Sequence, residues 1–193
     1  MENSASETTP SSFNLPNLLT IIRILLVPAF LLVFFLVPTL EGRIWALVIF
    51  CVAMATDTAD GKIARRYGLV TDFGKIADPI ADKAIMASAL IALNIIGKLW
   101  IWVTVVILIR EIGITVWRLT ALKNKVVPAS RGGKAKTMTQ TLAVFLLLIP
   151  VGGWVAWCGW IVMGVALVLT VVTGVDYLWK AYKADQTPSA ATQ

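Results

Sequence analysis

Asp57-Thr58-Ala59-Asp60-Gly61-Lys62-Ile63-Ala64-Arg65, followed by Gly74-Lys75-Ile76-Ala77-Asp78-Pro79-Ile80-Ala81-Asp82, sets four aspartates in an otherwise strongly apolar chain. Ionisable groups at membrane depth are costly to desolvate, so their presence is by default a sign of function. Asp57 and Asp60 are three apart and Asp78 and Asp82 four apart, so on helices each pair projects from a single face. Two such faces brought together make a cage of like charges, which repel unless protons or cations intervene. Hard divalent cations such as magnesium prefer oxygen ligands, and four carboxylates balance two of them.

The rest of the chain supplies the setting. Its 193 residues are 58% hydrophobic and only 15% charged, with a mean hydropathy of +0.81, far more apolar than a soluble domain. The expected class is an all-α polytopic membrane protein. Six apolar stretches, at 18–36, 44–59, 80–96, 99–119, 138–149 and 154–177, predict six transmembrane helices in one bundle. Each approaches the ~20 residues needed to cross a hydrocarbon core, the second and fifth being short. Residues 1–13 are polar and acidic, lack the positive region of a cleavable signal and read as a disordered cytoplasmic N-terminus. The membrane domain spans 14–183, and 184–193 reads as a disordered tail.

Two absences narrow the chemistry. Histidine is missing, which removes the usual imidazole base and leaves acid–base work to carboxylates. Cys51 and Cys158 both fall in apolar stretches, where small buried hydrophobes are expected rather than a disulfide.

Charge gives an orientation. Lys62, Arg65, Arg66 and Lys75 occupy the second connection; Arg118, Lys123, Lys125, Arg131, Lys134 and Lys136 the fourth; Lys180 and Lys183 follow the last stretch. The other side has only Arg43 and Lys98. The positive-inside rule therefore puts both termini and the aspartates on the cytoplasmic side of the cell membrane. For Lys123, Lys125, Lys180 and Lys183 this topological role, with attraction to anionic headgroups, is the preferred reading.

The full spacing, Asp-x2-Asp-Gly-x2-Ala-Arg-x8-Gly-x3-Asp-x3-Asp, resembles the signature of the CDP-alcohol phosphotransferase family, membrane enzymes of phospholipid synthesis. The resemblance implies two magnesium ions, with manganese a possible substitute. Asp57 and Asp78 would touch both metals, Asp60 one and Asp82 the other, with Asp82 also the general base for the attacking hydroxyl. Such ions would neutralise the diphosphate of a CDP-lipid and the departing CMP. Gly61 and Gly74 permit close approach of nucleotide or a neighbouring helix, and Arg65 offers a planar cation to phosphate oxygens.

Upstream, Asn14-Leu15-Pro16-Asn17-Leu18-Leu19-Thr20-Ile21-Ile22-Arg23 is similar to the family's entry segment. The resemblance implies that Asn17, Thr20 and Thr71 contribute to CDP-lipid binding, while Asn17 as a helix cap is an equal alternative. Arg23 has two open readings: a headgroup anchor or a phosphate contact.

Downstream, Arg110-Glu111 and Gly133-Lys134-Ala135-Lys136-Thr137-Met138-Thr139-Gln140 resemble the branch of the family that uses sn-glycerol 3-phosphate. Arg110, Arg118, Lys134 and Lys136 would then bind the acceptor's phosphate, although Glu111 beside Arg110 also fits a structural polar network. The implied activity is transfer of a phosphatidyl group from CDP-diacylglycerol to that acceptor by a homodimer. Phosphatidylglycerol or an inositol phosphate are alternative acceptors. A cation transporter using the aspartates is a different class of reading, against which stand the lack of an inverted repeat and of a second acidic cluster.

Overall fold

The computed structural model describes residues 14–67, 71–121 and 131–185, and these contain six α-helices. They are α1 (Leu15–Leu36), α2 (Leu40–Tyr67), α3 (Asp72–Ile95), α4 (Ile101–Ala121), α5 (Arg131–Leu148) and α6 (Trp154–Asp185). Each expected stretch has its helix, but several helices outrun their apolar segments. α2 begins before and ends well beyond 44–59, α3 starts ahead of 80, and α5 ahead of 138. The charged motifs are therefore helical continuations, not loops. Residues 1–13 and 186–193, including most of the tail expected to be disordered, lie outside the described residues, as do Lys123 and Lys125.

Helix starts are encoded by short polar side chains. Asn14 caps α1 by accepting from the Asn17 amide at 3.0 Å, so Asn14 and not Asn17 is the cap; Pro16 falls in the first turn, where a missing N–H costs nothing. Thr39 caps α2 through the Gly42 amide at 3.2 Å. A Cβ on Gly42 would collide with the Val37 carbonyl, so the tight α1–α2 turn requires glycine there. Thr71 caps α3 by accepting from the Gly74 amide at 3.0 Å.

The chain divides into two compact units, Met1–Ala92 and Leu93–Gln193. In the first, α1 packs along α2, and the core holds Phe30, Phe34, Ala46, Phe50, Ala53, Ala81, Ile85 and Ala89. The alanines let helix backbones approach closely, as interfaces between membrane helices require. In the second, α6 packs on α5 and α4, around Val103, Ile107, Val144, Leu147, Met163 and Ala166. A Cβ on Gly159 would press on Leu147 at 2.9 Å, so glycine sets the closeness of α5 and α6. Lys98 donates to the carbonyls of Leu147 and Ile149 at the end of α5, at 3.1 and 3.2 Å.

Among the described residues, three helices are long and apolar enough to cross a membrane by length and composition: Leu15–Leu36, Leu40–Gly61 and Trp154–Trp179. Their outward faces, with Leu25, Trp45, Trp157, Ile161 and Val168, are exposed and apolar, as suits lipid. Cys158 is also exposed and Cys51 only half-buried, both free, so they are not core residues as expected. The expected six spans are thus reduced to three on this criterion. α3, α4 and α5 carry charges within their helical length: Asp78, Asp82 and Lys83 on α3, Arg110 and Glu111 on α4, and Lys134 and Lys136 on α5.

Candidate active site

The acidic motif folds into one unit, carried by the C-terminal half of α2 and the N-terminal half of α3. The Asp57 carboxylate is within electrostatic reach of Asp78 and Asp82, and Asp60 within reach of Asp57 and Asp78. The two faces inferred from spacing do come together. Among the described residues, however, no three carboxylates close on a common point as metal ligands would, and each one has a protein partner.

Arg23 is the main partner. It is completely buried on α1, with Nη1 2.9 Å from Asp57 Oδ1 and Nη2 donating to Asp60 Oδ2. The first contact is an ion pair without hydrogen-bond alignment, and Nε also lacks a hydrogen-bond partner. Burial removes the headgroup-anchor reading of Arg23. On α3, Asp78 accepts from the hydroxyl of Thr20, and Asp82 pairs with Lys83 at 2.9 Å.

A second set of contacts joins the entry segment to the start of α3. The Thr71 hydroxyl, while capping α3, donates to Asn17 Oδ1 at 2.9 Å, and both residues are buried. A Cβ on Gly74 would lie 3.1 Å from Asn17 Oδ1, 3.3 Å from Thr71 Oγ1 and 3.6 Å from Asp78 Oδ2. Glycine at 74 thus keeps open a polar cradle formed by Asn17, Thr71 and Asp78. Four of the expected CDP-lipid residues, Asn17, Thr20, Thr71 and Gly74, gather with the aspartates. Gly61 follows Asp60 directly on α2. The Arg65 side chain lies outside the described residues.

The basic residues downstream form a separate network in the second unit. Lys136 on α5 donates to Glu111 on α4, and both are buried. Arg110 Nη1 approaches the same Glu111 oxygen at 3.1 Å, while Nη2 donates to Thr173 on α6 at 2.9 Å. Gly174 leaves room for this arginine, since a Cβ there would lie 3.3 Å from its Cγ. Lys134, two residues from Lys136, is exposed and points away from the network. The side chain of Arg118 lies outside the described residues.

The donor chemistry suits a divalent cation. All four groups are hard carboxylates, and a cation, the Arg23 guanidinium, already bridges two of them. Arg23, open between two readings in the sequence, is a partner of Asp57 and Asp60, and Glu111 forms the polar network that its place beside Arg110 suggests. The signal for Arg23 is a single cation at the ninth residue of an apolar helix, a position that demands a buried partner.

An apolar helical chain that gathers four carboxylates, Asp60 buried and Asp57, Asp78 and Asp82 half-buried, has the make-up of a membrane protein with a polar site. The description of the CDP-alcohol phosphatidyltransferase family matches residues 13–172, and the chain belongs to that family. It is 46% identical over 172 residues to a probable phosphatidylglycerophosphate synthase of Mycobacterium tuberculosis, covering 88% of this chain and 82% of the relative. It is 40% identical over 179 residues to the CDP-diacylglycerol--glycerol-3-phosphate 3-phosphatidyltransferase of Escherichia coli, covering 90% of this chain and 97% of the relative. The same identity and coverage hold for the protein of that name from Shigella sonnei.

Proposed function

We propose that this chain transfers the phosphatidyl group of CDP-diacylglycerol to sn-glycerol 3-phosphate, giving phosphatidylglycerophosphate and CMP. The observation that carries this is the gathering of Asp57, Asp60, Asp78 and Asp82 in one unit, in a chain of this family with relatives so named.

Asp57, Asp60, Asp78 and Asp82 would hold two magnesium ions, which supply charge neutralisation to the diphosphate and the leaving CMP. Asn17, Thr20, Gly61, Arg65, Thr71 and Gly74 bind and orient the CDP-lipid beside them. Asp82 takes the proton of the acceptor hydroxyl as its oxygen bonds to the lipid-side phosphorus and the bond to CMP breaks. Among the described residues no Ser or Cys is placed as a covalent nucleophile, and the chain has no His, so one displacement is the simplest path. Inversion at a chiral phosphorus is expected; net retention would overturn it. Arg110, Arg118, Lys134 and Lys136 bind the acceptor's phosphate.

All six helices cross the membrane in this reading. On α4 and α5, Glu111 and Lys136 are buried against each other, so these two charges need not face lipid. Asp57 lies about 25 Å along α2 from Leu40, close to the far edge of a core about 30 Å thick. This supports carboxylates that open at one surface, the cytoplasmic one by charge. Cysteine accessibility at positions 39, 98 and 152 against 67 and 134 tests it, since labelling of both sets from one side would sink the topology. The exposed apolar faces also suit a homodimer, tested by the mass of the protein in detergent.

The activity test is release of CMP by purified protein from CDP-diacylglycerol with magnesium. Release that requires glycerol 3-phosphate, and vanishes in Asp82→Asn, is expected. Release with phosphatidylglycerol or an inositol phosphate instead would overturn the acceptor, and none with any acceptor would return the aspartates to an ion-transport reading.

A further inference from the structure

Arg23 holds the two α2 carboxylates at the place where cations are required. Its guanidinium is fully buried, with one terminal nitrogen on Asp57 and the other on Asp60. A buried arginine is costly to desolvate unless its charge is met, and a bidentate bridge over two carboxylates meets it. The same bridge offsets the repulsion between Asp57 and Asp60, and so keeps the acidic face of α2 in place without any ion. Asp78 and Asp82 have lighter partners, a threonine hydroxyl and a half-buried lysine. The cation-holding role therefore falls on one side chain of α1.

We propose that Arg23 is a built-in counter-cation that preorganises Asp57 and Asp60 in the metal-free protein and competes with divalent metal for them. This rests on the reading that the aspartates bind metal. The reason for competition is electrostatic: a fixed positive charge against two ligand carboxylates lowers the negative potential that a divalent ion meets. By linkage, each ion that binds must weaken the Arg23 bridge by the same free energy with which the bridge weakens binding. Arg23 is thus a positioning residue that sets metal affinity while holding the unloaded site together. Its unpartnered Nε is consistent with a side chain whose best contacts are all on the carboxylates.

The test uses full-length protein stripped with chelator, with Mn2+ binding followed by electron paramagnetic resonance and melting followed in the same samples. Arg23→Gln is expected to bind Mn2+ at least about tenfold tighter than wild type. It should melt lower without metal and gain more on loading. Arg23→Lys keeps the charge but cannot bridge both groups; it should stay within about threefold of wild-type Mn2+ affinity and melt between the other two without metal. Unchanged or weaker Mn2+ binding by Arg23→Gln would overturn the competition. If that variant cannot be isolated, an Arg23→Lys protein that melts as wild type without metal would overturn the preorganising role. Failure of wild type to bind Mn2+ would overturn the metal assignment itself, a result distinct from a wild type that binds and a variant that binds no better.

Discussion

Lys136 on α5 and Glu111 on α4 form a buried ion pair, and Arg110 shares the same carboxylate oxygen. Removing one member of such a pair leaves a charge with no water and no partner, at a cost of about 3–5 kcal/mol. Lys136→Met should therefore lower the melting temperature in detergent sharply, and Glu111→Gln combined with Lys136→Met should recover most of it. If Lys136 also binds the acceptor, the recovered double variant should still show a KM for glycerol 3-phosphate raised roughly tenfold or more, the value of a lost charged hydrogen bond. A normal KM in that variant would make the pair purely structural.

Gly74 is held between Asn17 and Thr71 with no room to spare. Gly74→Ala should cost about 1–2 kcal/mol through overpacking and raise the KM for CDP-diacylglycerol more than that for the acceptor. Equal effects on both substrates, measured in mixed micelles, would remove Gly74 from the lipid-nucleotide side of the site.

Thr71 performs two tasks with one hydroxyl, capping α3 and donating to Asn17. Thr71→Ala should lose about 1 kcal/mol for the cap, with a further loss from the unpaired Asn17. Thr71→Ser should restore both, since only the hydroxyl is used. Thermal unfolding of the two variants beside wild type checks this, and failure of serine to rescue would point to the methyl group instead.

Asp82→Asn and Asp60→Asn should separate by kinetics. Loss of a general base typically costs about 10²–10⁴ in rate, so Asp82→Asn should lower kcat at saturating magnesium. Asp60→Asn, which removes one ligand and one partner of Arg23, should be partly rescued by raising magnesium. Equal rescue of both would deny Asp82 its separate role.

Chelation should abolish CMP release, and magnesium or manganese should restore it. Metal at about a hundred times its dissociation constant should stabilise the protein by about 2.7 kcal/mol through linkage alone. Activity that survives exhaustive chelation would remove metal from the reaction.

Several features were legible before any coordinates. All six helices are legible as apolar runs, because a helix that buries a face in a core or in lipid needs apolar residues along it. The pairing of two acidic faces was legible from three- and four-residue spacings, which helical geometry converts directly into a shared side. Helix ends were less so. Asn17 reads from sequence as either a cap or a substrate contact, and only the placed backbone shows that Asn14 is the cap, accepting from the Asn17 amide. α2, α3 and α5 outran their apolar segments because capping threonines and inward-turned charges extend a helix past the point where hydropathy stops.

The sequence by itself determined the membrane class, the family and the identity of the four aspartates, since composition and fixed spacing along one chain carry all three. Tertiary structure alone decided that Arg23 reaches Asp57 and Asp60 across 34 and 37 positions of chain, that Thr20 finds Asp78, and that Lys136 turns to Glu111 while Lys134 faces outward. Local periodicity shows which side of its own helix a residue occupies. Which partner waits there depends on how helices distant in sequence pack, and for a buried charge that packing is what makes its burial tolerable.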